Sequence, residues 1–231
     1  EDLSKKLKNI AKSFLINNIL PQRLDKQNEF IIYPFWHHVF DDEVQNFKSQ
    51  INLMKNYGDF ISYDDSISIL EQGLKPKERY FCLSFDDGFK NIFNNVIDIF
   101  LKDKIPCMFF IPTSFIDNLR VDSGKVFFNR KDISINFLSW NDCRRIVSEN
   151  IFDIGSHSVN HNLISKLSLD ESMFEIVNSK QIIENKLNIK CNHFATPVGD
   201  YSIKRDLKTV KNSKFKSLST TIRGKMTVKD S

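Results

Sequence analysis

The sequence predicts one α/β domain in which short apolar strands alternate with amphipathic helices. The chain has 231 residues, of which 41% are hydrophobic, and this is enough apolar material for one sizeable core. No internal repeat, low-complexity tract or Pro/Gly-rich linker divides it. Such alternation is typical of a (β/α) barrel and also of an open, doubly wound parallel sheet.

The predicted elements follow one another in regular order. The strands cover residues 30–35, 60–62, 80–85, 107–111, 152–155, 193–196 and 215–219. The helices cover residues 42–56, 64–72, 91–102, 140–149, 169–187 and 202–212. Residues 1–29 form a predicted N-terminal amphipathic helical segment, and residues 30–231 form the α/β domain. In either fold, catalytic residues collect at the carboxyl ends of the strands.

Composition excludes several classes of function. The net charge of +4 is spread along the chain and forms no basic block, which predicts no nucleic-acid partner. No run approaches the ~20 apolar residues that a transmembrane helix needs, so no membrane span is expected. The four cysteines show no CxxC pairing, so neither a zinc–cysteine site nor a disulfide scaffold is expected.

The first motif with chemical potential is a predicted strand that ends in Asp86, Asp87 and Gly88. Adjacent side chains of a strand point to opposite faces, so both carboxylates reach one site only if the backbone turns there. Gly88 permits such a turn. Taken alone, the pattern also suits an ordinary turn or a helix cap.

The second motif is a pair of histidines, His157 and His161, that follows another predicted strand. Their spacing places them on one face of a helical turn, close enough to reach a single divalent ion. The alternative is a pair of solvent-facing histidines at a helix start. Joined with one carboxylate of the first motif, they form a ligand set with open positions for water and substrate. The second carboxylate is then free to act as a base in metal-assisted amide hydrolysis.

These motifs resemble those of the polysaccharide deacetylase family, the NodB-homology carbohydrate esterases. Residues 84–88 look like the first motif of the family, residues 157–161 like the second and residues 194–199 like the third, in the family's order. The resemblance extends over residues 30–224, which is most of the chain.

The resemblance implies a fold, a reaction and a role for each matched residue. The fold is a distorted (β/α)7 barrel in a single domain. The reaction removes acetyl groups from N-acetylated sugars of a polysaccharide or glycan precursor, with metal-bound water as nucleophile. The implied roles are catalytic base for Asp86, metal ligand for Asp87, His157 and His161, and oxyanion-hole N–H for Val198. The implied metal is Zn2+, with Co2+ or Ni2+ as alternatives.

Two departures from the family pattern alter these expectations. Ala195 stands where the family often has an arginine that orients the base. No histidine follows His193, so the C-terminal histidine motif that supplies the general acid is absent. In the branch that deacetylates poly-N-acetylglucosamine, the acid lies on an N-terminal strand, and residues 33–39 resemble that strand. His37 is therefore the expected acid with His38 as the alternative, whereas His193 is expected to be structural.

The expected partner is a carbohydrate, and several residues near the motifs are candidates to contact it. A hexose has an apolar face suited to an aromatic ring, so Phe89, Trp36 and Trp140, together with Phe35, are expected to stack on sugars. Pro197, beside the oxyanion donor, is a further candidate. No feature of the sequence selects an oligomeric state.

Two other functions stay open on the sequence alone. One is a catalytically silent carbohydrate-binding domain of the same fold, which Ala195 and the missing C-terminal histidine favour. The other is an amidohydrolase that acts on a non-sugar amide. Residues 1–20 lack the apolar core and cleavage site of a signal peptide, which predicts a cytoplasmic enzyme. Because the chain starts with Glu1, a secreted or surface-anchored protein is the alternative.

Overall fold

Nine short parallel strands carry the fold in the part of the chain that the structure describes. The computed structural model describes residues 29–73, 75, 77–117 and 136–222, so the predicted segment 1–29 lies outside it except for Glu29. The strands are β1 (Phe30–Ile32), β2 (Phe35–Trp36), β3 (Asp59–Phe60), β4 (Arg79–Phe81), β5 (Leu83–Phe85), β6 (Cys107–Ile111), β7 (Phe152–Ser156), β8 (His193–Ala195) and β9 (Ser217–Ser219). They occupy the seven predicted strand positions, because two of the predicted strands are each divided in two.

Both strands are divided at the point where the segment 79–85 exchanges one neighbouring strand for another. β1 and β2 run along one edge of β4 and β5 in a continuous register, from Phe30 opposite Arg79 to Trp36 opposite Phe85. On the other edge, β3 pairs with β4 whereas β6 pairs with β5. The sheets therefore have the orders β1-β4-β3 and β2-β5-β6-β7-β8-β9. This curled parallel sheet with its helices is the distorted (β/α)7 barrel that the family resemblance implies, and not the open doubly wound sheet.

The helices also match the predicted positions, with two internal irregularities. In the described residues they are α1 (Val44–Lys55), α2 (Tyr63–Gln72), α3 (Lys90–Asn95), α4 (Ile97–Asp103), α5 (Trp140–Ser148), α6 (Leu169–Met173), α7 (Ser179–Leu187) and α8 (Asp206–Asn212). A π-helical turn, Phe174–Asn178, joins α6 to α7. The predicted helix 91–102 is interrupted at Val96, whose φ of −122° is not helical. None of the described helices is long and apolar enough to cross a membrane.

Side-chain caps define where several helices begin. Ser62 Oγ accepts a hydrogen bond from the Asp65 N–H at 3.1 Å, so the chain turns into α2 and the strand predicted over residues 60–62 ends at Phe60. At the start of α5, Ser139 and Asp142 form a reciprocal capping box. These two caps explain where α2 and α5 begin.

The central strands are buried on both faces. All five residues of β6 are buried, as expected for a parallel sheet with both faces covered. Phe85 and Phe109 stack across β5 and β6 with ring centres 5.9 Å apart. The four cysteines are free and buried, and burial raises the pKa of Cys143 and of Cys191 to about 12. These thiols are therefore protonated and unreactive at neutral pH.

Candidate active site

The predicted site residues come together at one edge of the six-stranded sheet. His37 follows β2, Asp86 and Asp87 follow β5, and His157 follows β7. Val198 lies in the turn after β8. These strands are parallel members of one sheet, so their carboxyl ends lie along the same edge.

The turn expected at the pair of carboxylates is present, and it begins at Asp87. Asp87 and Gly88 have φ values of 69° and 67°, so the chain leaves β5 through two consecutive left-handed residues. Before the turn, the Asp86 N–H donates to the Trp36 carbonyl at 2.9 Å. After it, the Leu138 N–H donates to the Gly88 carbonyl at 2.8 Å. The turn brings both carboxylates within electrostatic reach of the same histidines, which strand alternation alone would prevent.

Asp87, His157 and His161 form one cluster of potential metal-binding atoms. Asp87 Oδ1 lies 3.0 Å from Nε2 of His161 and 3.4 Å from Nε2 of His157. One ligand atom of each residue lies within 4.8 Å of the other two. The structure therefore brings together the three residues that the sequence predicts as metal ligands.

Hydrogen bonding at His157 fits a cation in this cluster. Its Nδ1 lies 2.9 Å from the Ala195 carbonyl oxygen, which can only accept, so Nδ1 carries a proton. In the neutral imidazole, Nε2 then directs a lone pair toward Asp87 Oδ1, which is buried and satisfies no hydrogen-bond geometry with any described residue. Facing lone pairs in a buried site need either a proton or a cation between them. A histidine oriented by a carbonyl is a common arrangement in metal sites.

The pKa values of the two neighbouring aspartates are shifted in opposite directions. Burial raises the pKa of Asp87, but the adjacent imidazoles of His157 and His161 outweigh burial and place that pKa below its usual range. For Asp86, burial dominates and raises the pKa, and the charges of His157 and His37 offset it only in part. These opposite shifts suit two different roles: Asp87 stays an anion, as a metal ligand does, whereas Asp86 is able to exchange protons.

The structure separates the two candidate acids, His37 and His38. His37 directly follows Trp36, whose carbonyl accepts the Asp86 N–H, and the charge of His37 lowers the pKa of Asp86. His38 instead has its Nδ1 3.4 Å from Glu43 Oε2 and its ring 4.1 Å from the ring of Phe40. These contacts favour His37, and its role as the acid stays a prediction.

Val198, the predicted source of the oxyanion N–H, adopts an unusual backbone conformation. Its φ of 57° lies in the left-handed region, where a β-branched residue is rarely found. Hydrogen bonds from the Gly199 N–H to the Thr196 carbonyl and from the Asp200 N–H to the Pro197 carbonyl maintain the turn. Strain of this kind is concentrated at functional sites.

Two of the predicted sugar contacts are wrong for this structure. Phe89 is 0% exposed and stacks on Phe137 inside the core, with ring centres 5.1 Å apart. Trp140 is 7% exposed, because it opens α5 with its ring packed inward. Neither ring offers a face to a sugar.

The other two predicted contacts are less accessible than expected. Trp36 is half-buried, and its ring packs edge-on against Phe47 with ring centres 5.3 Å apart. Pro197 is the first residue of the turn that carries Val198, and it is buried. Phe35, in contrast, is 44% exposed, and its ring centre lies 5.6 Å from that of His37. Among the aromatic candidates, Phe35 therefore has the most accessible ring beside a site residue.

Comparison with known proteins identifies the family. The sequence profile described as polysaccharide deacetylase matches residues 73–216, which is more than half of the chain. The chain belongs to the polysaccharide deacetylase family. A curated relative in Staphylococcus epidermidis, poly-beta-1,6-N-acetyl-D-glucosamine N-deacetylase, is 28% identical over 151 residues, 65% of this chain and 47% of the relative. This family member thus spans about half the length of the curated relative it matches.

Solved structures share the fold of this polysaccharide deacetylase family member. The Streptococcus pyogenes deacetylase PplD in complex with acetate has a TM-score of 0.67 and 19% identity, covering 88% of this chain and 87% of that chain. IcaB from Ammonifex degensii has a TM-score of 0.66 and 16% identity, covering 82% of this chain and 84% of that chain. At these identities the likeness shows the barrel fold alone.

Sequence reasoning missed two groups that hold the histidines of this family member. The Ala195 carbonyl orients His157, and since every residue type has that carbonyl, no side-chain signal could reveal it. Glu175 is 2% exposed and accepts hydrogen bonds from the loop between His157 and His161. A usable signal for Glu175 was its position beside Ile176 on the core-facing side of a predicted helix, where a carboxylate is unusual.

Proposed function

We propose that this chain is a metal-dependent N-deacetylase that removes acetyl groups from N-acetylated sugars of a polysaccharide. The observation that carries the proposal is the cluster of Asp87, His157 and His161 beside a second carboxylate, Asp86. The proposed cofactor is Zn2+, with Co2+ or Ni2+ as alternatives, because one carboxylate and two imidazoles with open positions suit such ions. When bound, a divalent ion polarises an amide carbonyl and lowers the pKa of water.

Asp86 is the proposed general base. Its Oδ1 is buried and has no hydrogen-bond partner among the described residues, so it is free to accept a proton. Burial raises the pKa of this carboxyl group, which brings it closer to neutral pH, where a base works most effectively. In the proposed reaction, Asp86 takes the proton from the water that attacks the acetamide carbonyl carbon.

His37 and Val198 are proposed to act on the two other polar atoms of the amide. The Val198 N–H donates a hydrogen bond to the carbonyl oxygen as negative charge develops there, and one such donor is worth on the order of 10²- to 10³-fold in rate. His37 donates a proton to the sugar nitrogen as the C–N bond breaks, because histidine can exchange protons near neutral pH. The products are acetate and the free amino sugar.

The proposed substrate is a polymer that contains N-acetylglucosamine with β-1,6 linkages. The name of the Staphylococcus epidermidis relative supports this choice. The exposed ring of Phe35 next to His37 offers a surface on which a sugar unit could stack. The proposed compartment is the cytoplasm, with the cell surface as the alternative.

Acetate release from defined oligosaccharides tests this function. We would compare β-1,6-linked and β-1,4-linked N-acetylglucosamine oligomers, with Zn2+ or Co2+ added and after chelation, beside an Asp86→Asn control. Metal-dependent release that the control lacks is expected, and it should be faster with the β-1,6-linked oligomers. No release from either oligomer by protein with one bound metal per chain would contradict the proposal. That result would favour a non-sugar amide substrate or a binding role.

A further inference from the structure

The loop that carries both candidate metal-binding histidines contains two residues in the left-handed conformation. Ser158 and His161 have φ values of 68° and 59°. Neither is glycine, so each conformation costs free energy and needs contacts that maintain it. Within the loop, Ser158 Oγ accepts a hydrogen bond from the His161 N–H at 3.0 Å. The N–H groups of Thr113 and Ser114, which follow β6, donate hydrogen bonds to the carbonyls of Ser158 and Val159 at 3.1 and 2.9 Å. Further contacts come from a helix.

Glu175 provides most of these helix contacts. Its Oε2 accepts hydrogen bonds from the N–H groups of Val159 and Asn160, both at 2.8 Å. Its Oε1 accepts from Nδ2 of Asn160 at 2.7 Å and from Nδ2 of Asn162 at 3.2 Å. All of these donors are neutral groups that lie between the two histidines or directly after the second. Glu175 is only 2% exposed, and both of its carboxylate oxygens accept hydrogen bonds from the loop.

The local structure of the helix places Glu175 under the loop. Glu175 lies in the π-helical turn Phe174–Asn178, and such turns are rare and occur often at functional sites. At the end of the same turn, Ser179 Oγ lies 2.6 Å from Ser156 Oγ, which also accepts from the Ser158 N–H at 3.3 Å. The helix therefore bonds the loop both before His157 and between the two histidines.

We propose that Glu175 is a positioning residue for the metal site. By holding the backbone between His157 and Asn162, it keeps both imidazoles against Asp87 before a cation binds. This inference rests on the proposed function, because it requires that the cluster holds the metal. Loss of a group that orients metal ligands typically lowers metal affinity roughly 10- to 100-fold, so Glu175 is expected to set the affinity and not only the stability of the fold.

Metal affinity of purified variants tests the proposal. The dissociation constant for Zn2+ is measured by competition with a chromophoric chelator, well below the Tm of each variant. The measurement is repeated with Co2+, whose absorption spectrum reports on coordination geometry. Glu175→Ala removes every acceptor and is expected to weaken Zn2+ binding roughly 10- to 100-fold and to change the Co2+ spectrum. Glu175→Gln keeps the size and one acceptor oxygen, so its loss is expected to be smaller, about threefold to tenfold.

Ser172→Ala is the matched control. Ser172 is fully buried on the same helix, but its hydroxyl donates to Asp206 at 2.7 Å and not to the loop. Its Zn2+ affinity is expected to stay within about twofold of the unsubstituted chain even if its Tm falls. A merely structural role for Glu175 would produce the same pattern in Glu175→Ala as in this control.

Three outcomes would overturn the inference. Unchanged Zn2+ affinity in folded Glu175→Ala would do so, and if that variant does not fold, unchanged affinity in Glu175→Gln would decide in its place. An unsubstituted chain that binds no Zn2+ would overturn the proposed function together with this inference. A chain that binds Zn2+ but is indifferent to Glu175 would overturn the inference alone.

Discussion

The Nε2 atom of His161 lies 3.0 Å from Oδ1 of Asp87, although the two residues follow different strands of the sheet. The sheet order explains this contact, because β5 and β7 flank β6 on either side and all three end at the same edge. Loops that leave neighbouring parallel strands meet above that edge. The barrel thus assembles the proposed metal site from distant parts of the chain.

Removing a proposed ligand should remove the metal. His157→Ala deletes one imidazole and leaves two ligands, Asp87 and His161, which are too few to retain a zinc ion through purification. We expect about one Zn2+ per chain in the unsubstituted protein and almost none in the variant, measured by elemental analysis after gel filtration. His193→Ala is the control, because His193 is also buried but bonds Ser217 and Asp64. A full zinc content in His157→Ala would contradict the ligand assignment.

Asp86→Asn should separate catalysis from metal binding. The amide keeps the size of the side chain but cannot take up a proton, so kcat is expected to fall about 10²- to 10⁴-fold. Zinc content is expected to stay unchanged, since Asp86 is not a proposed ligand. Steady-state acetate release and elemental analysis on the same preparation check both statements. A variant with nearly normal kcat would exclude Asp86 as the base.

The two adjacent histidines should respond differently to substitution. His37→Ala is expected to lower kcat about 10²-fold, because it removes the proposed acid. His38→Ala is expected to change kcat little, because His38 faces Glu43 and Phe40. Equal and nearly normal rates in both variants would exclude an acid on this strand.

Val198→Gly should leave activity intact and stabilise the fold. Glycine adopts a φ of 57° without strain, and the proposed oxyanion donor is a backbone N–H that the substitution retains. Relief of the left-handed strain stabilises the folded state, whereas glycine makes the unfolded chain more flexible and offsets part of this gain. The free energy of unfolding is expected to rise by about 0.5–1 kcal/mol. Val198 is 66% exposed, so little packing is lost. Urea denaturation checks the sign, and a clear loss of stability would show that the side chain supports the turn.

His193 should make the stability of the fold depend on pH. Burial lowers its pKa to about 4, although the charge of Asp64 opposes that shift. Below the ordinary histidine pKa of about 6.5, the unfolded chain takes up a proton that the folded chain refuses. The stability that the uncharged His193 contributes at neutral pH is therefore lost as pH falls from about 6.5 to about 4. The free energy of unfolding is expected to fall by up to about 3 kcal/mol over this range.

The His193→Gln variant isolates that contribution, because all other groups titrate in both proteins. The difference in unfolding free energy between the two proteins is expected to shrink between pH 7 and pH 4. Urea denaturation at several pH values measures it. A difference that stays constant over this range would show that the neutral histidine is not specifically stabilised.

The metal-binding cluster could be predicted from sequence because it depends only on strand order and strand ends. Polar residues directly after buried strands meet at one edge in either parallel fold, so Asp87 and His157 were expected to lie close together whichever fold formed. The division of the strands at residues 30–36 and 79–85 was not predictable, because an apolar run does not reveal that its neighbour changes halfway along.

Side-chain direction beyond a turn could not be predicted in the same way. Phe89 follows two left-handed residues, so strand alternation no longer determines which face it occupies, and its ring enters the core. The role of Glu175 depends on hydrogen bonds to backbone N–H groups of a distant loop. Backbone N–H donors have no sequence signature. The only signal was the carboxylate of Glu175 at a core-facing helical position, where it needs hydrogen-bond donors.

The most direct test of the account is to add Zn2+ in steps to metal-free protein and to follow acetate release from N-acetylglucosamine oligomers. We predict that activity rises with added zinc and reaches its maximum at about one ion per chain. The same titration of His157→Ala should produce no activity. Activity in the metal-free chain, or equal activity in His157→Ala, would contradict the claim that Asp87, His157 and His161 form a catalytic metal site.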